Sequence, residues 1–256
     1  MQETQTATAF FFAPVAAAYL AICGVWLGYD RLRRPSAGEP PLGASTRPVL
    51  DFALAVAAAG GILLLGAVYR QGWLLPAGGG WLGRSFWIVD NGIIYSPIAA
   101  VLAVRRQGLE TIFLSSHRLV EKTALGLGLG VLAVSLYLAL RGELAQLAGC
   151  LVGALAPERL ASFPAIFLEG VALAFGFVRF RWLVGTAAAL AVPCALFAAA
   201  HVPGQIADER AVWEIAAFFL FNTSLAAAIL WTVQRSRDVI WIGIAHYMMD
   251  VAIQAI

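Results

Sequence analysis

Eight stretches of the chain, at about 8–28, 50–69, 86–104, 124–140, 162–178, 183–201, 213–233 and 239–256, are apolar almost throughout. Each approaches the roughly 20 residues that a helix needs to cross the hydrocarbon core of a bilayer. No other feature constrains the fold so tightly. In hydrocarbon the backbone N–H and C=O groups find no water, so an isolated run of this kind is stable only as a helix that closes its own hydrogen bonds. The chain is 61% hydrophobic and 12% charged, whereas soluble domains sit near 45–50% apolar and about 25% charged. Lipid has to be the solvent for most of this surface. The expected fold is therefore all-α, a polytopic transmembrane bundle of about eight spans. The fourth and fifth runs are short, and Asp90 and Asn91 interrupt the third.

The connections carry the orientation. Linker 29–49 holds Pro35, Gly38, Pro40, Pro41 and Gly43, and linker 72–84 holds Gly78, Gly79 and Gly80, all helix breakers. Segment 105–122 reads either as an interfacial amphipathic helix or as a plain polar loop. With eight spans, twelve of the seventeen basic residues fall on one side: Arg31, Arg33, Arg34, Arg47, Arg105, Arg106, Arg118, Lys122, Arg179, Arg181, Arg235 and Arg237. The positive-inside rule puts that side in the cytoplasm and both termini outside. Residues 1–7 contain Glu3 and no Lys or Arg, which is not the start of a secretory signal. Cys23, Cys150 and Cys194 have no CxxC spacing and read as small buried hydrophobes. The net charge of +2 says little about partners, and no basic cluster is dense enough to suggest nucleic acid.

Ionisable groups inside a bilayer are costly and by default functional. Here they are Asp90, Glu169, His201, Glu214, His246 and Asp250, while His117 falls in a linker. Asp90 and Glu214 lie nearer the outer interface, where structural or snorkelling roles are expected. Asn222, Thr223 and Ser224 read as packing glue between helices. The spans set Glu169, His201, His246 and Asp250 at similar depths in the outer half of the membrane, and His246 and Asp250, four residues apart, share a helix face. A glutamate with two imidazoles suits hydrolysis: the carboxylate takes a proton from water, and the histidines relay protons or stabilise an oxyanion. The same groups offer a second option, a divalent metal such as zinc held by His201, His246 and Glu169. Structural helix–helix bonding by Glu169, or by the His246 and Asp250 pair, is the bland alternative.

Phe197-Ala198-Ala199-Ala200-His201 reads FxxxH, and His246-Tyr247-Met248-Met249-Asp250 reads HxxxD, both behind an intramembrane Glu169. That order and spacing resembles the CPBP intramembrane proteases, the family of CAAX prenyl endoproteases and bacterial abortive-infection-like proteins, whose motifs are EExxxR, FxxxH and HxxxN or HxxxD. The resemblance covers about 160–256, which it implies is the catalytic core, with 1–159 supplying further transmembrane helices and linkers. The first motif departs from the pattern: Glu169 stands at its leading Glu, but Gly170 and Ala174 replace the second Glu and the Arg. The resemblance implies catalytic roles for Glu169, His201, His246 and Asp250 and no certain cofactor. It also implies a membrane-anchored protein substrate met among membrane lipid. With the deduced orientation it points to the bacterial plasma membrane and to the myxosortase-like members that trim C-terminal sorting signals from the extracytoplasmic side. The departure at Gly170 and Ala174 keeps a non-catalytic partner-binding, immunity or scaffold protein as the alternative. A transporter would call for inverted repeats with broken spans, and none is evident.

Overall fold

The fold was derived from a computed structural model, which describes residues 2–33, 45–72 and 80–255, with backbone alone at 2–11, 33 and 80–86. The expected breakers Pro35, Gly38, Pro40, Pro41, Gly43, Gly78 and Gly79, and Arg34, lie outside the described residues. Nine helices follow one another among the described residues: α1 (Gln2–Arg33), α2 (Pro48–Arg70), α3 (Gly80–Arg105), α4 (Leu119–Arg141), α5 (Leu147–Ala154), α6 (Pro157–Leu160), α7 (Phe163–Ala207), α8 (Val212–Ser236) and α9 (Ile240–Ala255). No strand occurs among them. Six segments are long and apolar enough to cross a membrane: Phe12–Leu32, Pro48–Arg70, Trp87–Arg105, Leu119–Arg141, Pro157–Ala207 and Val212–Ser236.

The fifth of these is 51 residues long, far more than one crossing needs. It breaks at Gly185, whose backbone sits at φ 81°, ψ 167°, a region open in practice only to glycine. Beyond the break the helix folds back on itself. The Cβ position of Gly176 lies 3.1 Å from the Pro193 ring, so the halves 163–184 and 186–207 pack as a hairpin. A methyl group at Gly185 would meet nothing within 4 Å. Gly185→Ala is therefore expected to cost about 1–3 kcal/mol through the backbone alone, read as a lower midpoint of unfolding in detergent. An unchanged midpoint would mean that the hairpin does not need this conformation.

The eighth run forms a helix, but Ile240–Ala255 has only 16 residues. It is surrounded by protein: ten of its residues, from Ile240 and Trp241 to Val251 and Ala252, are buried. Apart from the side that carries His246, Asp250 and Gln254 the helix is apolar, and such a helix belongs in a core. α4 lies against it through Gly126 and Gly130, a GxxxG pair whose missing side chains let the two backbones close up. Trp26 of α1 stacks on Trp241 at 5.8 Å, and Phe167 of α7 covers Gly243. In contrast α2 buries only Asp51, Ala55 and Ala58 and leaves Val56, Leu63 and Leu64 exposed, as a helix with a lipid-facing flank should.

Several charged contacts gather at the end of the bundle where α2 and α4 begin and α3 ends, while Arg141 pairs with Glu143 at 3.5 Å at the other end of α4. Arg105 Nε lies 2.8 Å from Asp51 Oδ1, Lys122 Nζ lies 3.8 Å from Asp238, and the Tyr29 hydroxyl donates to Glu121 at 2.8 Å. Two expectations change here. Segment 105–122 is neither an amphipathic helix nor a plain loop: it makes a 3-10 turn at Leu109–Ile112 and buries Ile112 and Phe113. The Phe113 carbonyl accepts from Val239 N–H at 3.0 Å, which closes the base of α9. Arg179 and Arg181 do not lie in a turn after the fifth span, because α7 continues past them. Arg179 is 5% exposed and donates to the Thr111 hydroxyl at 3.1 Å. All three cysteines are free and buried.

Candidate functional site

α7 supplies two of the expected site residues because of its hairpin. It begins at Phe163 and ends at Ala207, so at 1.5 Å per residue Glu169 and His201 each lie about 9 Å from the same end. α9 ends at Ala255, which puts Asp250 about 8 Å and His246 about 14 Å from that end along the helix. All four line one cavity of about 330 Å³, whose other walls include Tyr19, Phe221, Asn222 and Gly243.

The geometry is closest between Glu169 and His201. Glu169 Oε1 lies 3.9 Å from His201 Nε2. The other ring nitrogen is fixed: His201 Nδ1 stands 2.9 Å from the Phe197 carbonyl oxygen, and since a carbonyl only accepts, Nδ1 carries the proton. Nε2 of the neutral ring is then a lone pair turned toward the glutamate. The Phe197 ring covers the imidazole with centroids 4.7 Å apart. Four-residue spacing on a helix explains both contacts, since the carbonyl and the ring come from the turn below.

His246 and Asp250 are held differently. The His246 ring stands edge-on to Tyr19 at 5.9 Å and makes no hydrogen bond with the described residues. The Asp250 carboxylate accepts from Gln254 Nε2 at 2.7 Å, not from His246. The proposed zinc set of His201, His246 and Glu169 does not fit: no three His, Cys, Asp or Glu side chains among the described residues come together closely enough to hold a metal ion. These side chains offer proton acceptors and donors around a cavity, not converging ligands.

The remaining polar residues fall elsewhere. Asp90 is 1% exposed and borders neither this cavity nor its neighbour. The Glu214 carboxylate accepts from Ala211 N–H at 3.0 Å and caps α8. His117 is exposed. Asn222, Thr223 and Ser224 make no hydrogen bond between helices among the described residues. Asn222 Nδ2 donates to Phe218 O within its own helix at 2.8 Å, the buried Thr223 hydroxyl has no hydrogen-bond partner among the described residues, and Ser224 is exposed. Tyr19 is the site residue that sequence reasoning missed. It lies in an ordinary apolar run with no motif around it, and only the packing of α1 brings it to α9.

A second cavity, of about 480 Å³, lies on the other flank of the α7 hairpin, between α2, α3 and α7. Glu169, Leu173, Phe197 and His201 border both cavities and form the wall between them. Gly170 faces the first cavity, and a Cβ there would meet nothing within 4 Å. Ala174 is fully buried. Compared with known proteins, the chain matches no family model, no curated protein and no solved structure.

Proposed function

We propose that this chain is an intramembrane endopeptidase that hydrolyses a peptide bond in or near a membrane-anchored C-terminal segment. The observation that carries the reading is the 3.9 Å approach of Glu169 to Nε2 of His201, in a cavity that His246 and Asp250 also line. That separation is too long for a direct hydrogen bond and leaves room for one water within reach of both groups. Such a water donates one hydrogen bond to each acceptor and turns a lone pair toward a carbonyl carbon. Glu169 takes the proton as the C–O bond forms. His246, with no hydrogen bond to the described residues, donates to the oxyanion from a protonated ring nitrogen. The proton held on Glu169 passes to the leaving amine as the C–N bond breaks.

The proposed membrane arrangement has eight crossings. The break at Gly185 divides α7 into two, and α9 crosses as a short helix inside the bundle. The charge-rich end faces the cytoplasm by the positive-inside rule, so the cavity opens toward the extracytoplasmic half of a bacterial plasma membrane. The resemblance in Glu169, FxxxH and HxxxD supports membership of the CPBP proteases and the sorting-signal subtype.

The test is co-expression with candidate substrates that carry C-terminal membrane anchors, comparing the wild type with Glu169→Ala. Cleavage by the wild type alone is expected. Equal processing by both chains would sink the reading. A second reading has its own support: Gly170 and Ala174 leave the cavity without the second Glu and the Arg of the family's first motif. On that reading the chain is a non-catalytic binder of a membrane partner, and alanine at all four site residues would leave partner binding intact.

A further inference from the structure

The second cavity is built by small side chains on facing helices. Ala55, Ala59 and Gly66 of α2 look across at Ala172, Gly176 and Ala199 of α7, and where both walls lack bulk the helices cannot fill the gap. From Ala55 to Arg70 the α2 wall runs for about 22 Å, deeper than one leaflet of a hydrocarbon core of about 30 Å. Its outer flank carries the exposed Leu63 and Leu64, the side of the bundle that meets lipid. Two polar groups stand in this apolar space besides the Glu169 and His201 wall: Tyr95 and, where α2 ends, Arg70. Arg70 is exposed and makes no ion pair or hydrogen bond with the described residues.

We infer that this cavity is a binding site for a single phospholipid of the surrounding bilayer, with one acyl chain laid between α2 and α7 and the phosphate on Arg70. An apolar slot open to lipid will not stay filled with water, since the walls offer too few hydrogen-bond partners. A guanidinium at the helix end is a matched donor for a phosphate at the level of the headgroups. The bound chain backs the Glu169 and His201 wall with hydrocarbon, so water reaches that pair from the first cavity only. The inference does not depend on what reaction, if any, the first cavity performs.

The test is native mass spectrometry of the full chain purified in mild detergent, counting retained phospholipid, with the lipid then stripped and a defined phosphatidylglycerol or phosphatidylethanolamine added back. The wild type is expected to retain one phospholipid per chain and to rebind one after stripping. Gly66→Phe fills the slot from a position where a Cβ meets nothing within 4 Å, and should cut retention at least about fivefold. Arg70→Ala should weaken rebinding by roughly tenfold, the loss of one charge-assisted contact of about 1.4 kcal/mol. Gly60→Phe, equally open but outside the cavity, should retain lipid like the wild type and so controls for added bulk on α2. Retention by Gly66→Phe equal to that of Gly60→Phe would overturn the inference. So would a wild-type chain that binds no phospholipid but takes up an apolar peptide with a free terminal carboxylate.

Discussion

Glu169→Gln is expected to lower cleavage by about 10³-fold, within the span usual for loss of a general base, while the protein folds and purifies as before. The amide keeps the shape of the carboxylate and loses its ability to take a proton. No hydrogen bond is broken, because the nearest partner, His201 Nε2, stands 3.9 Å away. His201→Ala should cost less on its own, since Glu169 can still polarise a water. The double variant should be no slower than Glu169→Gln alone, because two groups acting on one water do not contribute additively. The measurement is substrate turnover in reconstituted membranes alongside the unfolding midpoint. Wild-type turnover by a well-folded Glu169→Gln chain would remove the glutamate from the mechanism.

Gly126→Leu is expected to do the greatest structural damage of any single change at the helix contacts. A Cβ at Gly126 would lie 2.9 Å from the Trp241 carbonyl oxygen and 3.0 Å from Trp241 Cα, so the obstacle is backbone and cannot rotate away. α9 would have to move outward from α4, and overpacking of this kind costs about 3 kcal/mol. The shift would carry His246 and Asp250 with it and disturb the stacking of Trp26 on Trp241. Loss of stability and of any site activity should therefore appear together. Gly130→Ala is the contrast. Its new methyl group would press chiefly on the Met248 sulfur, the end of a flexible side chain, and about 1 kcal/mol or less is expected. Equal unfolding midpoints for Gly126→Leu and Gly130→Ala would mean that the close approach of α4 and α9 is not what holds the core.

The zinc set of the sequence reading illustrates how composition and geometry diverge. His201, His246 and Glu169 have the right chemistry for a metal, yet α7 and α9 hold them around a space instead of aiming them at a point. Arg179 illustrates the reverse case. Its position after an apolar run looked like a turn, but a partner hydroxyl on Thr111 and the charged end of the bundle let the helix continue through it.

The sequence by itself determined the helical, membrane-spanning character of the chain and the short list of ionisable groups within its apolar runs, though it reads eight runs where the structure has six segments long and apolar enough to cross a membrane. Those properties follow from residue-by-residue transfer free energies and from the need of each run to close its own hydrogen bonds in lipid, both of which are local. It also contained the spacing that lays Phe197 under His201. The tertiary structure decided the rest: the hairpin at Gly185 that brings Glu169 to His201, the burial of α9 as a central helix too short to be counted by length, the arrival of Tyr19 from α1, and the two cavities on either side of α7. Between helices in lipid there is no hydrophobic drive to set a partner, and association rests on where small side chains let backbones approach. Gly126 and Gly130 close such gaps, while Ala59 and Gly66 leave one open, and which of these happens depends on the opposing helix and not on the glycine or alanine itself.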